Sequence, residues 1–462
     1  MASETVIMPT YQDWESIAQG GKGAIERFVY SCISAHKGTD EYKTAVTADL
    51  YDHQKNVTIN EYVRTVYTLG GTESTDFTAS NNRLCSNFFN RLNTQRCLYS
   101  LGNGVTFIDT DESGKDTTKE KLGPRFDHDI KEAAYYALIH GRSYLFWDMD
   151  RLHVFKVTEF VPLLDELTGE LRAGIRFWQL SDRKPLHAVL YEEDGFTQYT
   201  STDDGLETIE EKRAYITTYE TIPYDGDMTV VEERNYTSLP IVTMYGSRLK
   251  QSTLIGMRPT IDAYDLVRSG FANDLVDCAE IYWIVQNAGG MDDSDLMRFR
   301  DRIKLNHIAT VDNAEGAGIT PYSQEIPYVA RKALLDELRS GIYEDFGALD
   351  VHTVAAGATN DHIDAAYQPL DENAADFESW VSEAIVKVLA LIGIEDEPVF
   401  TRSRISNQLE QVQMVVQEAQ WLDPETVLRK LPNVTPDETQ AILERLDNET
   451  ASRMLLGGVE VE

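Results

Sequence analysis

The run "GMDDSDL" places Asp292, Asp293 and Asp295 close together, and closely spaced carboxylates can bind Mg²⁺ or Ca²⁺ through oxygen. An EF-hand loop would also need a central Gly and a distant Glu, which are missing here, and a solvated turn accounts for the same residues. Asp148 and Asp150 follow a strand-like run and could act as general acid and base. A surface turn explains them equally well. His128 and His140, in "HDIKEAAYYALIH", are too far apart in sequence to define a ligand pair. The phosphate-cradling GxxxxGK signature completed by Ser or Thr is absent, as are GxGxxG, HExxH and GxSxG. The sequence assigns no catalytic residue, no metal site and no cofactor.

Two further stretches could mediate contacts rather than reactions. Arg298, Arg300, Arg302 and Lys304 alternate with Phe299, Ile303 and Leu305, so a strand over 296–311 would carry the cations on one face. Such a face could pair with a carboxylate-rich partner, with another copy of the chain, or loosely with phosphates; a solvated strand is the alternative. "LDVHTVAAGATND", residues 349–361, consists mostly of small residues between two helical patterns. Locally it reads as a linker, and it has no Lys or Arg with which to hold phosphate.

The surrounding elements limit what these stretches can do. Helical patterns are read at 11–35 (broken around "QGGKGA"), 81–100, 126–140, 259–290, 327–345 and 371–393, with Gly141 and Gly393 as stops. Short strands fill 151–245, among them "LHVFKV", "IRFWQL", "HAVLYEE", "FTQYT", "RAYITTYE" and "IVTMYG". Strand-like "PVFTRS" is followed by three short C-terminal helices over 407–449, with Asp423 and Thr435 placed to cap helices that begin at Pro424 and Pro436. This pattern predicts an α+β fold and excludes the strand–helix repeat of a dinucleotide-binding domain.

A hydrophobic content of 42% allows a substantial core despite a formal charge of −35. That charge disfavours tight wrapping of DNA, which needs dense Lys and Arg, but permits DNA to pass without being gripped. Cys32, Cys85, Cys97 and Cys278 form no close pair, so buried thiols in a reducing compartment are expected. The N-terminal residues lack a signal-peptide pattern, and no apolar run reaches membrane-spanning length; a soluble intracellular chain is the reading.

The ordered combination resembles the tailed-phage portal proteins of the Bacillus phage SPP1 type. It is carried by "LPIVTMYGSRLKQSTLIGMRPTIDAYDLVRSGFANDLVD", with Pro240–Val242, Ser252, Ile261–Asp265, Ser269, Asn273 and Asp274. A second match is "SRISNQLEQVQMVVQEAQWLDPETVLRKLPNVTPDETQAILER". The resemblance implies a portal-protein fold with an α+β wing (1–258 and 362–405), stem helices (259–290 and 327–346), a small α/β clip (291–326), a tunnel loop (347–361) and a helical crown (406–462). It also implies a homo-oligomeric, dodecameric ring at one capsid vertex. Double-stranded viral DNA would pass through it, driven by the terminase large subunit, and the ring would later join head to tail. Further implied partners are a head-completion or adaptor protein, the major capsid protein and a scaffolding protein, with assembly in the host cytoplasm and no membrane.

On this map the DNA-facing loop is Val351, His352, Thr353, Val354, Ala355, Ala356, Gly357, Ala358, Thr359 and Asn360, and the clip interface is Arg298, Arg300, Arg302 and Lys304. Where SPP1-type chains often have Ser-Gly after the Asn, this chain has Asp361–His362. The competing readings are another oligomeric virion connector or capsid-associated protein, and a metal-dependent enzyme built on the Asp clusters.

Overall fold

A computed structural model describes residues 7–67, 73–75, 80–108, 116–202, 205–221, 228–277, 282–286, 318–322, 327–351 and 360–404, with isolated positions at 298 and beyond 414. The chain divides into two units. The first comprises Met1–Ala48, Arg91–Ile255 and Tyr343–Glu462, and the second Asp49–Asn90 and Gly256–Ile342. The fold class is α+β, and the described strand pairs are antiparallel.

Strand alternation builds the first unit in layers. Five strands, Phe160–Leu164, Leu171–Trp178, His187–Glu192, Gly195–Thr202 and Gly205–Arg213, form a sheet in sequential order. One face presents Val161, Leu163, Ile175 and Leu190 to Trp14, Phe28 and Ile33 of the helices Tyr11–Ala18 and Lys22–Gly38. The other face presents Phe160, Val189 and Tyr191 to Tyr144, Phe155 and Ile241 of a three-stranded sheet. Gly174 is required at this second face, because a Cβ there would lie 2.0 Å from the Phe160 ring.

The three-stranded sheet is Ile241–Tyr245, Arg142–Trp147 and Leu152–Lys156, with Arg142–Trp147 in the middle. Its far face packs Leu145 and Met244 against Ile130 and Ala134 of the helix Phe126–His140 and against Phe377, Val381 and Ile385 of the helix Asn360–Ile392. Period-two alternation thus gives each sheet two apolar faces, and each face has a partner layer.

Several sequence-based boundaries change. The predicted helix over 259–290 runs from Leu254 to Asp277, and Tyr282–Gln286 is a strand paired with Gly318–Tyr322. "YWIVQ" is aromatic and β-branched, a composition that favours a pleated strand. The helix predicted at 371–393 begins at Asn360 and continues through Pro369. Burial of Ile363, Tyr367, Leu370 and Ala374 along one stripe outweighs the proline. Residues 81–87 are irregular, and the helix there starts at Phe88. Strands Phe160–Leu164, Gly205–Arg213 and Met228–Arg234 add to those read from the sequence.

Candidate functional site

Chain entry into the small-residue stretch is fixed residue by residue. The helix Tyr328–Phe346 ends at Gly347, whose φ of +60° takes the left-handed conformation. Gly347 N–H bonds to Glu344 O at 3.0 Å and Ala348 N–H to Tyr343 O at 2.9 Å, a Schellman closure. Side-chain donors then cover the carbonyls that follow. Arg96 Nη2 donates to Phe346 O at 2.8 Å, Asn373 Nδ2 to the same oxygen at 3.1 Å, and Gln95 Nε2 to Leu349 O at 2.9 Å. The Arg96 guanidinium is buried and lies 4.2 Å from the centre of the Phe346 ring. Burial draws it down to about 10, still cationic at neutral pH, so a positive charge faces the negative end of the helix.

Leu349 is buried in a cluster with Tyr99, Ile363, Tyr367, Leu370 and Ala374. The first residue of the stretch is therefore a core residue, and Val351 is the first to emerge, at 48% exposure. His352, Thr353, Val354, Ala355, Ala356, Gly357, Ala358 and Thr359 lie outside the described residues, and Asn360 opens the following helix.

That helix carries Asp364, Asp371 and Glu378 at seven-residue spacing, which puts them on one face. Arg402 grips Glu378 through two nitrogens (3.0 and 2.7 Å) and reaches Asp371 at 2.9 Å. Arg404 bonds Asp364 at 3.0 Å, Tyr99 Oη at 2.9 Å, and Asp371. Tyr99 Oη donates to Asp371 Oδ1 at 2.6 Å. Burial opposes ionisation of Asp371, but the bonds from Tyr99, Arg404 and Arg402 outweigh it and hold its carboxyl below the usual carboxylate range. Both flanks of the stretch are thereby anchored within the first unit.

The second unit shows what the "IDAYD" region does. Side chains of the helix Leu254–Asp277 accept hydrogen bonds from alternate backbone N–H groups of residues 82–86. Asp265 Oδ1 accepts from Ser86 at 2.9 Å, Ser269 Oγ from Leu84 at 3.0 Å, and Asn273 Oδ1 from Asn82 at 2.6 Å. The spacings match: four helical residues rise about 6 Å, and two extended residues advance about 6.6 Å. Asp265 also accepts from Asn56 Nδ2, and Asp262 accepts from Tyr51 Oη at 2.5 Å and Thr58 Oγ1 at 2.6 Å. Burial raises the Asp265 carboxyl above its usual value, with the Asn56 and Ser86 bonds acting the other way.

The remaining candidates separate. Asp148 accepts from the backbone N–H of Asp150 (3.0 Å) and Arg151 (2.8 Å) and pairs with His153, so it holds a strand-connecting turn. Twelve residues of helix keep His128 and His140 about 18 Å apart along the axis, and His140 is buried against Tyr136. Among the described residues His128, Asp129 and Glu132 could share a cation. They sit in the first turns of a helix, and Arg125 Nη2 lies 3.8 Å from Asp129, both unfavourable to a cation. Asp292, Asp293 and Asp295 lie outside the described residues.

Arg298 has helical backbone where a strand was predicted, while Arg300, Arg302 and Lys304 lie outside the described residues. "LMRFR" is rich in helix-favouring Leu, Met and Arg, which explains the change at Arg298. Cys32 and Cys97 are buried free thiols pushed up to about 12 by burial, and Cys85 is also free; Cys278 lies outside the described residues.

Comparison with known proteins decides what this architecture belongs to. A family described as "Phage portal protein, SPP1 Gp6-like" matches residues 34–452. The chain belongs to the phage portal protein family. The portal protein of Clostridium phage phiCD119 is 26% identical over 381 residues, covering 76% of this chain and 82% of that protein. The portal protein of Bacillus phage SPP1 is 22% identical over 419 residues, covering 84% of this chain and 80% of its own length. This portal chain is thus a phage virion component of a structural family. Among its described residues no helix is long and apolar enough to cross a membrane.

Sequence reasoning found the stretch but missed its anchors, Gln95, Arg96 and Asn373, and the arginines that brace the helix after it. One signal was available: three acidic residues seven apart on a helix, followed by Arg402-x-Arg404.

Proposed function

We propose that this portal chain forms a closed ring, twelvefold in the virion, at one capsid vertex. Double-stranded DNA enters through it during packaging and leaves through it on ejection, and the ring connects head to tail. The terminase large subunit drives entry, an adaptor protein seals the outer end, the major capsid protein surrounds the ring, and a scaffolding protein guides assembly in the host cytoplasm. Residues 291–326, with Arg298, Arg300, Arg302 and Lys304, form the docking clip. Residues 347–361 form a loop that surrounds DNA, the wing and crown follow the bounds read from the sequence, and the first stem helix ends at Asp277.

The family match over 34–452 carries this reading. Two structural features support it. Helical residues Leu275, Val276, Tyr328 and Val329 of the second unit are more than half exposed, as apolar faces shared with neighbouring copies would be in an isolated subunit. The loop also departs from a root pinned at Phe346, Gly347 and Leu349, which a repeated collar needs if its copies are to adopt one height. With no Lys or Arg between 349 and 361, that collar slides on DNA rather than clamping it.

Introducing Val354→Asp with Ala356→Asp tests the loop assignment. Repulsion between two carboxylates per subunit and the phosphates should slow packaging by about tenfold or more while rings form as before. An unchanged packaging rate would remove residues 347–361 from the channel wall.

A further inference from the structure

The helix Asn360–Ile392 receives the chain from the small-residue stretch, and it is continuous without being uniform. Pro369 has no N–H to give Ala365 O, and its ring crowds that carbonyl, so one rung of the backbone ladder is missing. A break of this kind opens a helix on the proline side and closes it on the opposite side. Asp364 and Asp371 share that opposite side, roughly 140–160° round the helix from Pro369.

Arg404 spans the break. Its Nη1 donates to Asp364 Oδ1 at 3.0 Å, before the proline, and its Nη2 donates to Asp371, after it. Its guanidinium also stands 5.7 Å from the centre of the Tyr367 ring, which stacks on Tyr99. Arg402 differs, because its described partners Asp371 and Glu378 both follow the proline. The two grips of Arg404 are unequal. The Asp364 side chain is 64% exposed, whereas that of Asp371 is 20% exposed and is held by Tyr99 and Arg402 as well. An exposed ion pair weakens as salt rises; a half-buried carboxylate with several donors resists it.

We propose that Pro369 is a hinge and Arg404 a salt-sensitive latch across it, holding residues 360–368 against the body of the helix. With the latch open, that segment keeps only the apolar contacts of Ile363 and Tyr367 in their cluster with Tyr99 and Leu349. A helical piece so short is marginal without tertiary support. The opposite root of the stretch has no such device. It is closed by backbone bonds at Gly347 and Ala348 and by the donors Gln95, Arg96 and Asn373, which bond carbonyls and leave salt little to screen. One root of the stretch is therefore fixed and the other adjustable. The latch belongs to the single folded subunit, so it stands or fails separately from the ring reading.

Hydrogen exchange of the full chain, read by mass spectrometry, tests it. In the unmodified protein, raising salt about tenfold should speed exchange at 364–368 and leave 374–392 and 343–351 unchanged. Arg404→Gln should speed exchange at 364–368 by about tenfold at low salt, the worth of a charge-assisted contact, and abolish their salt response. Arg402→Gln should leave that salt response in place. Adding Pro369→Ala to Arg404→Gln should restore protection, because the repaired rung carries the helix across the break. A salt response shared by the whole helix, an Arg404→Gln effect spread evenly over 360–392, or a double variant no better protected than Arg404→Gln would each overturn the proposal.

Discussion

In the first unit apolar side chains stack through two sheets and their flanking helices, whereas in the second the helix Leu254–Asp277 holds residues 82–86 through three side-chain acceptors. The two devices respond differently to damage. Apolar contact is non-directional, so loss of one contact leaves the rest in place. The ladder of Asp265, Ser269 and Asn273 works only in one register, since a one-residue slip turns the three N–H groups away from their acceptors. In the second unit these directional bonds fix a register beside buried apolar residues such as Tyr51, Ile59, Phe89 and Ile261.

Asp265→Ala should break that contrast most severely. It strands the Ser86 N–H and the Asn56 amide in a buried site, with an expected cost of about 2–4 kcal/mol. Urea unfolding followed by hydrogen exchange should locate the loss in Asp49–Asn90 and Gly256–Ile342, leaving the sheets protected. Loss spread evenly over both units would remove the distinction between them.

Gly347→Ala probes the corresponding directional device in the first unit. The left-handed backbone costs a Cβ-bearing residue about 1–2 kcal/mol, and the added carbon would lie 1.9 Å from Asn373 Nδ2. Faster exchange at Ala348–Val351 with an intact core is the expected result. Ser269→Ala is milder: one acceptor is lost, for about 1 kcal/mol, detectable as faster exchange at Leu84.

The smallest effect is a pH dependence of opposite sign in the two units. Asp371 has a lowered carboxyl, so its contribution is full above the ordinary carboxylate pKa of about 3.9 and is lost as pH falls through the lowered folded value. Asp265 has a raised carboxyl, so its contribution is full below that ordinary value and is lost as pH rises through the raised one. Hydrogen exchange between about pH 2 and pH 7, a range that reaches below the ordinary carboxylate pKa, should show the two units shifting in opposite directions. Asp371→Asn should flatten the first response and Asp265→Asn the second.

Much of the fold was legible in the sequence, because alternation over 152–245 and the glycine stops at 141 and 393 are local signals. Pro369 concealed eleven residues of helix before Asp371, since the tertiary burial of Ile363 and Tyr367 that sustains them is not a local property. The candidate loop was found by its small residues and by family resemblance. Its anchors were not, because Arg96 and Gln95 meet Phe346 and Leu349 across some 250 positions of sequence. The helix Leu254–Asp277 was recognised by its family-like polar residues, and the structure adds what they hold: the alternate amides of residues 82–86.

Electron microscopy of the purified chain in negative stain tests the central claim, a ring with an axial channel. Closed rings of about twelve subunits with a central opening are predicted, as head-to-tail interfaces produce when their rotation closes. Particles that stay monomeric from low to high salt would contradict it.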